Sequence, residues 1–206
     1  MAYIGNKPAN KAVVASDLDP AVITGQTALA TSPADTDEFL ISDAGVLKRL
    51  DASLIGCANT PAFEAYVNSR QNISDNTDTK VAFDTEVFDT GGQYDNSTNY
   101  RFTPTTSGKY FVYANIGMGS GDNSAFGTGN INIRKNGSDY VKGRFDNSSN
   151  KVNSMYKNIS SVISMNGSGD YVEIFINVNT TSGTPFAEGN NNHVKASLFG
   201  AFKIIE

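Results

Sequence analysis

Asp170-Tyr171-Val172-Glu173-Ile174-Phe175-Ile176-Asn177-Val178-Asn179 is the stretch that decides the fold class. Val172, Ile174, Ile176 and Val178 make one wholly apolar face, and Tyr171, Glu173, Phe175 and Asn177 a mixed one. A period of two belongs to a β-strand lying with one face on a core. Working outward, further strands are expected at 62–68, 79–88, 108–116, 130–135, 139–145, 155–165 and 194–205. Asn136-Gly137 and Asn166-Gly167 lie between such runs and suit tight hairpin turns. With no helical period in this part, the pattern predicts an all-β sandwich or barrel.

Composition agrees. Of 206 residues, 39% are hydrophobic and only 18% charged, the remainder being rich in Asn, Ser, Thr and Gly. So little charge does not suit a disordered chain, whereas short strands joined by polar turns use these residues heavily. The net charge is −5 and no basic run occurs, which argues against phosphate-neutralising nucleic-acid binding and against a polybasic membrane patch. No apolar run approaches the roughly 20 residues of a membrane span. The start, Met1-Ala2-Tyr3-Ile4-Gly5-Asn6-Lys7-Pro8, has no basic segment followed by an apolar one, so assembly in a cytoplasm is expected. The Asn-x-Ser/Thr triplets at Asn72, Asn96, Asn136, Asn147, Asn158, Asn166 and Asn179 then read as a by-product of the composition.

The composition changes near residue 60. Most of the Ala and Leu lie in residues 1–60 and most of the Phe, Tyr, Asn and Gly in 61–206, with Gly56–Pro61 as the joint. In the first part Ser16–Gly25 allows a turn or at most two helical turns. Asp37–Asp43 and Val46–Leu50, separated by Ala44-Gly45, predict a β-hairpin. A lone hairpin is marginal in water. Residues 1–60 are therefore read as an extended assembly arm that needs a partner surface.

Within 61–206 one pattern is more specific. Phe83, Asp89, Tyr94, Phe102, Gly108 and Tyr110, with Phe111 and Tyr113 close behind, resemble the signature of the globular head domain of complement C1q. Ser197-Leu198-Phe199-Gly200-Ala201-Phe202 resembles that family's last strand, with Gly200 one position early. The resemblance implies a ten-stranded jelly roll, shared with the tumour necrosis factor family, that assembles as a homotrimer. Along 108–116, Tyr110, Val112 and Ala114 point one way and Phe111 and Tyr113 the other. A strand apolar on both faces suits a place between a sandwich core and a subunit interface. Phe83, Asp89, Tyr94, Phe102, Gly108, Tyr110, Phe111, Tyr113, Phe199 and Phe202 are thus the fold-signature and interface candidates.

Two stretches of the arm also resemble phage proteins. Tyr3–Pro8 resembles the opening of tail-fibre and virion proteins, and Asp35–Asp43 through Lys48–Leu50 resembles hairpin modules in them. These resemblances imply a virion structural protein, with residues 1–60 contacting other virion proteins and the outer loops 118–129, 146–153 and 180–192 facing a host receptor or glycan. A capsid decoration protein is the second reading, favoured by the short chain. A depolymerase is the third.

No catalytic constellation supports an enzyme. His193, the single histidine, follows Asn190-Asn191-Asn192 in a loop, and Cys57, the single cysteine, stands in the joint. Zinc spacing is absent. Gly117, Gly119, Gly121, Gly127 and Gly129 suggest a flexible loop, since no Gly-Lys-Ser/Thr follows them. Asp84 and Glu86 would share a strand face, but nothing places them in a cleft. Asp75-Asn76-Thr77-Asp78 offers oxygen ligands without full calcium-loop spacing and reads as a solvated turn. Some relatives bind calcium near the trimer axis, but no residue here matches that role, so no cofactor is assigned.

Overall fold

The computed structural model describes residues 34, 36–44, 46–55, 59–191 and 194–204. The expectations for Ser16–Gly25, Cys57 and His193 lie outside these residues. The chain divides between Gly56 and Cys57 into two units.

In the first unit, β1 (Glu38–Asp43) and β2 (Val46–Asp51) form the expected antiparallel hairpin, Asp43 opposite Val46 across a two-residue turn. Arg49 pairs with Glu38 and Lys48 with Asp43. The apolar Phe39, Leu40 and Val46, and Leu54 and Ile55 just after the hairpin, are exposed.

The second unit holds β3 (Ala62–Tyr66), β4 (Gln71–Asn72), β5 (Thr79–Lys80), β6 (Thr85–Asp89), β7 (Tyr94–Asp95) and β8 (Arg101–Phe102). It continues with β9 (Gly108–Gly119), β10 (Phe126–Lys135), β11 (Ser138–Asp146), β12 (Ser154–Met165) and β13 (Val172–Thr180). It ends with β14 (Phe186–Ala187), β15 (Asn190–Asn191), β16 (Val194–Lys195) and β17 (Leu198–Lys203). One sheet runs β12-β9-β17-β3-β6, with β14 and β4 beside the far half of β9. The other runs β11-β10-β13, followed by β5 and β8 on the open side of β13 and β7 beyond β8. The chain passes from β8 to β9, from β9 to β10, from β11 to β12, from β12 to β13 and from β13 to β14 by switching sheets. This is the wrapping of a jelly-roll sandwich, and the fold is all-β as expected.

The two inner faces fill the space between the sheets. Val172, Ile174, Ile176 and Val178 are fully buried, as their alternation predicts. They join Ile131 and Ile133 from β10 and face Phe63, Tyr110, Val112, Ile116 and Phe199 from the other sheet. Glu173, on the mixed face of β13, is also buried and forms an ion pair with Lys80.

Asn136-Gly137 makes the expected two-residue turn, with φ of 52° and 80°, and Lys135 pairs with Ser138 across it. Five expectations are corrected. Residues 79–88 are not one strand, for β5 pairs with β13 in one sheet and β6 with β3 in the other. Val81 and Phe83 bury themselves in the crossing between them. Asp84 therefore precedes β6, where its carboxylate accepts the Asn68 and Thr85 donors, and does not share a strand face with Glu86. Asn166-Gly167 does not join a hairpin, because β12 and β13 lie in different sheets. Gly167 instead packs on the Thr106–Ser107 backbone, where a Cβ would stand 2.5 Å from the Ser107 nitrogen.

Most of the Gly-rich stretch is strand, not loop. Gly117 and Gly119 end β9, and Gly127 and Gly129 open β10. A Cβ on Gly119 would lie 2.3 Å from the Phe186 ring, and one on Gly129 2.4 Å from the Phe145 ring. These glycines make room for aromatic rings on the strand surface. The run 194–205 is also divided, into β16 and β17, by the buried Ala196 and Ser197. Ser197 Oγ there accepts the Gly117 N–H at 3.2 Å.

Candidate interaction face

The candidate residues separate into three groups. Phe83, Tyr94, Phe102, Tyr110 and Phe199 are in the core. Phe63, which sequence reasoning did not single out, sits at their centre. Its ring stacks at 4.4 Å on Tyr94 and 4.7 Å on Phe102, and meets Phe199 edge-on at 4.9 Å. Only its alternation with Ala65 and Val67 marked it. The two core hydroxyls are paired: Tyr94 donates to the Phe83 carbonyl at 3.0 Å and Tyr110 to the Thr106 carbonyl at 2.7 Å. Burial raises the Tyr94 phenol, with nearby Asp95 adding to the effect, and pushes Tyr110 up to about 12.

Asp89 and Gly108 shape turns. The Asp89 carboxylate accepts the N–H groups of Gly91 and Tyr94, at 3.2 and 2.8 Å, which fixes the reversal after β6. Gly108 has φ of 147° and takes the Lys203 side chain where a Cβ would be.

Phe111, Tyr113 and Phe202 are on the opposite face of the same sheet, pointing away from the core. Phe111 lies 5.5 Å from Phe202 and 6.0 Å from Tyr113 between ring centroids. Phe111 is flanked by Val162 on β12 and Phe202 on β17. Val162 is exposed directly beside Phe111, and Tyr156 and Phe88 are exposed elsewhere on the same sheet. Beside the aromatic group is a shallow depression of about 360 Å³ between β9 and β12, lined by Phe111, Tyr113, Asn115, Asn158 and Ser160. Tyr113 donates to Glu64 Oε2 at 2.8 Å. Burial and that carboxylate raise its pKa. The aromatic group thus crosses the middle of a sheet face rather than its rim.

The strand register sets the two ends of the sandwich. At one end the chain enters β3, with Ala62 opposite Phe202 and the Lys203 N–H bonded to the Pro61 carbonyl. At the other end Gly119 stands opposite Ser154 and Phe186. The connections 120–125, 147–153 and 181–185 meet at this second end. Ser124 N–H donates to Asn153 Oδ1 at 2.6 Å, Ser182 Oγ to Asp122 Oδ2 at 2.8 Å, and Thr181 N–H to the Ala125 carbonyl at 3.0 Å. A polar pocket of about 270 Å³ opens there, lined in part by Arg70, Asp122, Asn123, Asn153 and Glu188. Arg70 lies 3.7 Å over the Phe186 ring and pairs with Glu188 at 3.0 Å.

The Asp75–Asp78 turn uses its carboxylates on protein donors. Asp75 accepts from Thr180, and Asp78 from Asn177 and Arg134. No group of three or more potential His, Cys, Asp or Glu metal ligands occurs among the described residues.

Among solved structures, the chain is similar to the globular domain of zebrafish complement 1qA protein, at 16% identity and a TM-score of 0.47. The match covers 70% of this chain and 98% of that chain. No family model matches the sequence, and neither does any curated protein.

Proposed function

We propose that this chain is a homotrimeric binding module of a phage virion appendage, joining copies of itself through the sheet face that carries Phe111, Tyr113 and Phe202. The observation that carries this reading is the aromatic group on the outward side of a sheet whose inward side already forms the core. Large apolar surfaces of this kind mark interaction sites, and a specific interface removes about 800 Å² per partner. The number three comes from the resemblance of the signature residues to the C1q head family. The virion placement comes from the phage-like stretches in residues 1–50 and from the exposed apolar side chains of the β1–β2 hairpin.

In this reading the module binds without catalysing a reaction. The first unit attaches to other virion proteins, and the loops meeting at the end opposite the β3 entry face the host surface. Light scattering on the full chain at micromolar concentration is expected to give three times the chain mass; a monomer mass overturns the assembly. Electron microscopy of the particle separates the two virion readings. Density at the tail supports the appendage, and density on the shell replaces it with a decoration protein.

A further inference from the structure

Toward the loop end, the outward face of the first sheet carries an aromatic ring well away from the Phe111 group. Tyr156 on β12 stands opposite Gly117 on β9, and on the other side of Gly117 the Glu188 N–H donates to its carbonyl at 2.7 Å. A Cβ on Gly117 would lie 2.9 Å from the Tyr156 ring and 3.0 Å from Glu188 Cβ. The missing side chain lets the ring rest over β9 against Glu188, where Tyr156 stays 62% exposed. Gly117 is six residues beyond Phe111 on β9, about 20 Å at the rise of a strand. An interface of about 800 Å² per partner centred on Phe111 is about 30 Å across and ends short of this ring.

The ring borders the polar pocket of about 270 Å³, which is lined by Glu188 and by Ser154, two residues from Tyr156 on the same face of β12. The pocket's own ring, Phe186, is covered, since Gly119 lies under it and Arg70 sits 3.7 Å over it. Tyr156 is the ring beside the pocket that a ligand can reach. Polar groups around it are also open. The Tyr156, Ser154 and Asn158 side chains, all exposed on one face of β12, make no hydrogen bond among the described residues. Arg70 bonds Glu188 through Nη2, at 3.2 and 3.0 Å, and leaves its Nε and Nη1 donors without a partner there. An accessible aromatic ring ringed by free donors and acceptors complements a molecule with a C–H face and a hydroxylated edge.

From this arrangement we infer that the loop end binds a neutral saccharide, with one pyranose ring laid on Tyr156. Its hydroxyls bond to Ser154, Asn158 and the Arg70–Glu188 pair. The charges select a neutral sugar, because Arg70, the cation of the lining, is already matched by Glu188, and Asp122 adds a second acid. An acidic sugar therefore gains nothing there, and the same excess of acids disfavours the phosphates of a nucleic acid. A peptide is disfavoured because the one apolar side chain of the lining, Phe186, is covered on both sides. The inference names a ligand class for the end that the reading above turns toward the host, and it rests on that reading only for where the sugar comes from. The site is complete within one protomer.

The test is calorimetric titration of the full chain with cellotetraose, mannotetraose and chitotetraose, set against tetragalacturonate and tetraalanine. At least one of the three neutral sugars is expected to bind ten-fold or more tighter than the acidic sugar and the peptide. Tyr156→Ala is expected to weaken that binding ten-fold or more, and Tyr156→Phe, which keeps the ring, to retain most of it. Tyr156 is exposed, so both variants keep the fold, which circular dichroism checks. No binding of any neutral sugar at millimolar concentration overturns the inference. So does equal binding of tetragalacturonate or tetraalanine, or unchanged affinity in Tyr156→Ala. Measuring mass in the same samples separates this inference from the assembly: a monomer that binds the sugar upholds this site alone, and a trimer that binds none overturns this site alone.

Discussion

Tyr113 lies across Gly200: a Cβ built on Gly200 would stand 2.4 Å from the Tyr113 hydroxyl oxygen. From that place the phenol reaches Glu64 on β3, one strand further on, at 2.8 Å. The gap in side-chain surface on β17 therefore lets one aromatic span three strands. Gly200→Ala is expected to displace the ring and cost about 1–3 kcal/mol, because the backbone oxygen of Phe63 crowds the same position. Urea denaturation checks it; a variant as stable as the parent would sink this account of Gly200.

Phe63→Ala and Phe111→Glu are expected to differ in kind. Phe63 is fully buried among three aromatic rings, and its loss is expected to cost about 3–5 kcal/mol of folding stability. Phe111 points out of the sheet, so Phe111→Glu is expected to keep the fold and abolish assembly. Circular dichroism paired with light scattering separates the two. A Phe111→Glu chain that keeps the parent's mass would show that this face is not the interface.

Gly119→Val is expected to destabilise the protein by about 1–3 kcal/mol, since the new side chain would enter the Phe186 ring. The same change moves Phe186 away from Arg70 and so disturbs the polar pocket at the loop end. Hydrogen exchange of residues 120–125 is the readout. Unchanged protection there would mean that the glycine is not what seats the ring.

Acid is expected to weaken the fold. The Lys135 ammonium and the Asn136 amide hold the Asp170 carboxyl below its usual range, and Lys142 and Arg134 do the same for Asp139. Backbone N–H groups of Thr98 and Ser97 hold Asp95 lower still. A carboxyl depressed in the folded state contributes stability above its unfolded pKa, about 4, and loses it as the pH falls through the folded value. The three raised phenols act in the opposite sense. Tyr94, Tyr110 and Tyr113 contribute fully below about pH 10 and lose that contribution as the pH rises beyond it. Thermal midpoints are thus expected to be flat between about pH 5 and 9 and to fall on both sides. Asp170→Asn is expected to make the acid limb shallower; an acid limb unchanged from the parent would remove Asp170 from this account.

The candidate residues show how much of the site was legible. Alternation along β9 separated Tyr110, Val112 and Ala114 from Phe111 and Tyr113, and the two sets do face opposite ways. Phe202 joins the second set only because β17 pairs with β9 in a register that places it opposite Phe111.

The sequence by itself determined the central parts of β3, β9, β10, β11, β12 and β13, the inward faces of β9 and β13, and the Asn136-Gly137 turn. These depend on period-two burial and local φ/ψ preference, which are written in neighbouring residues. Only the tertiary structure decided where the chain changes sheets, at Val81–Asp84 and at Asn166–Tyr171, and that Gly117, Gly119, Gly127 and Gly129 are strand residues, three of which (Gly117, Gly119 and Gly129) accommodate aromatic rings. Burial alternation records that a side chain faces the core, but not which strand its backbone hydrogen-bonds to. That choice is made by pairing between residues far apart in the chain, and the same pairing assembles both outward faces of the sandwich.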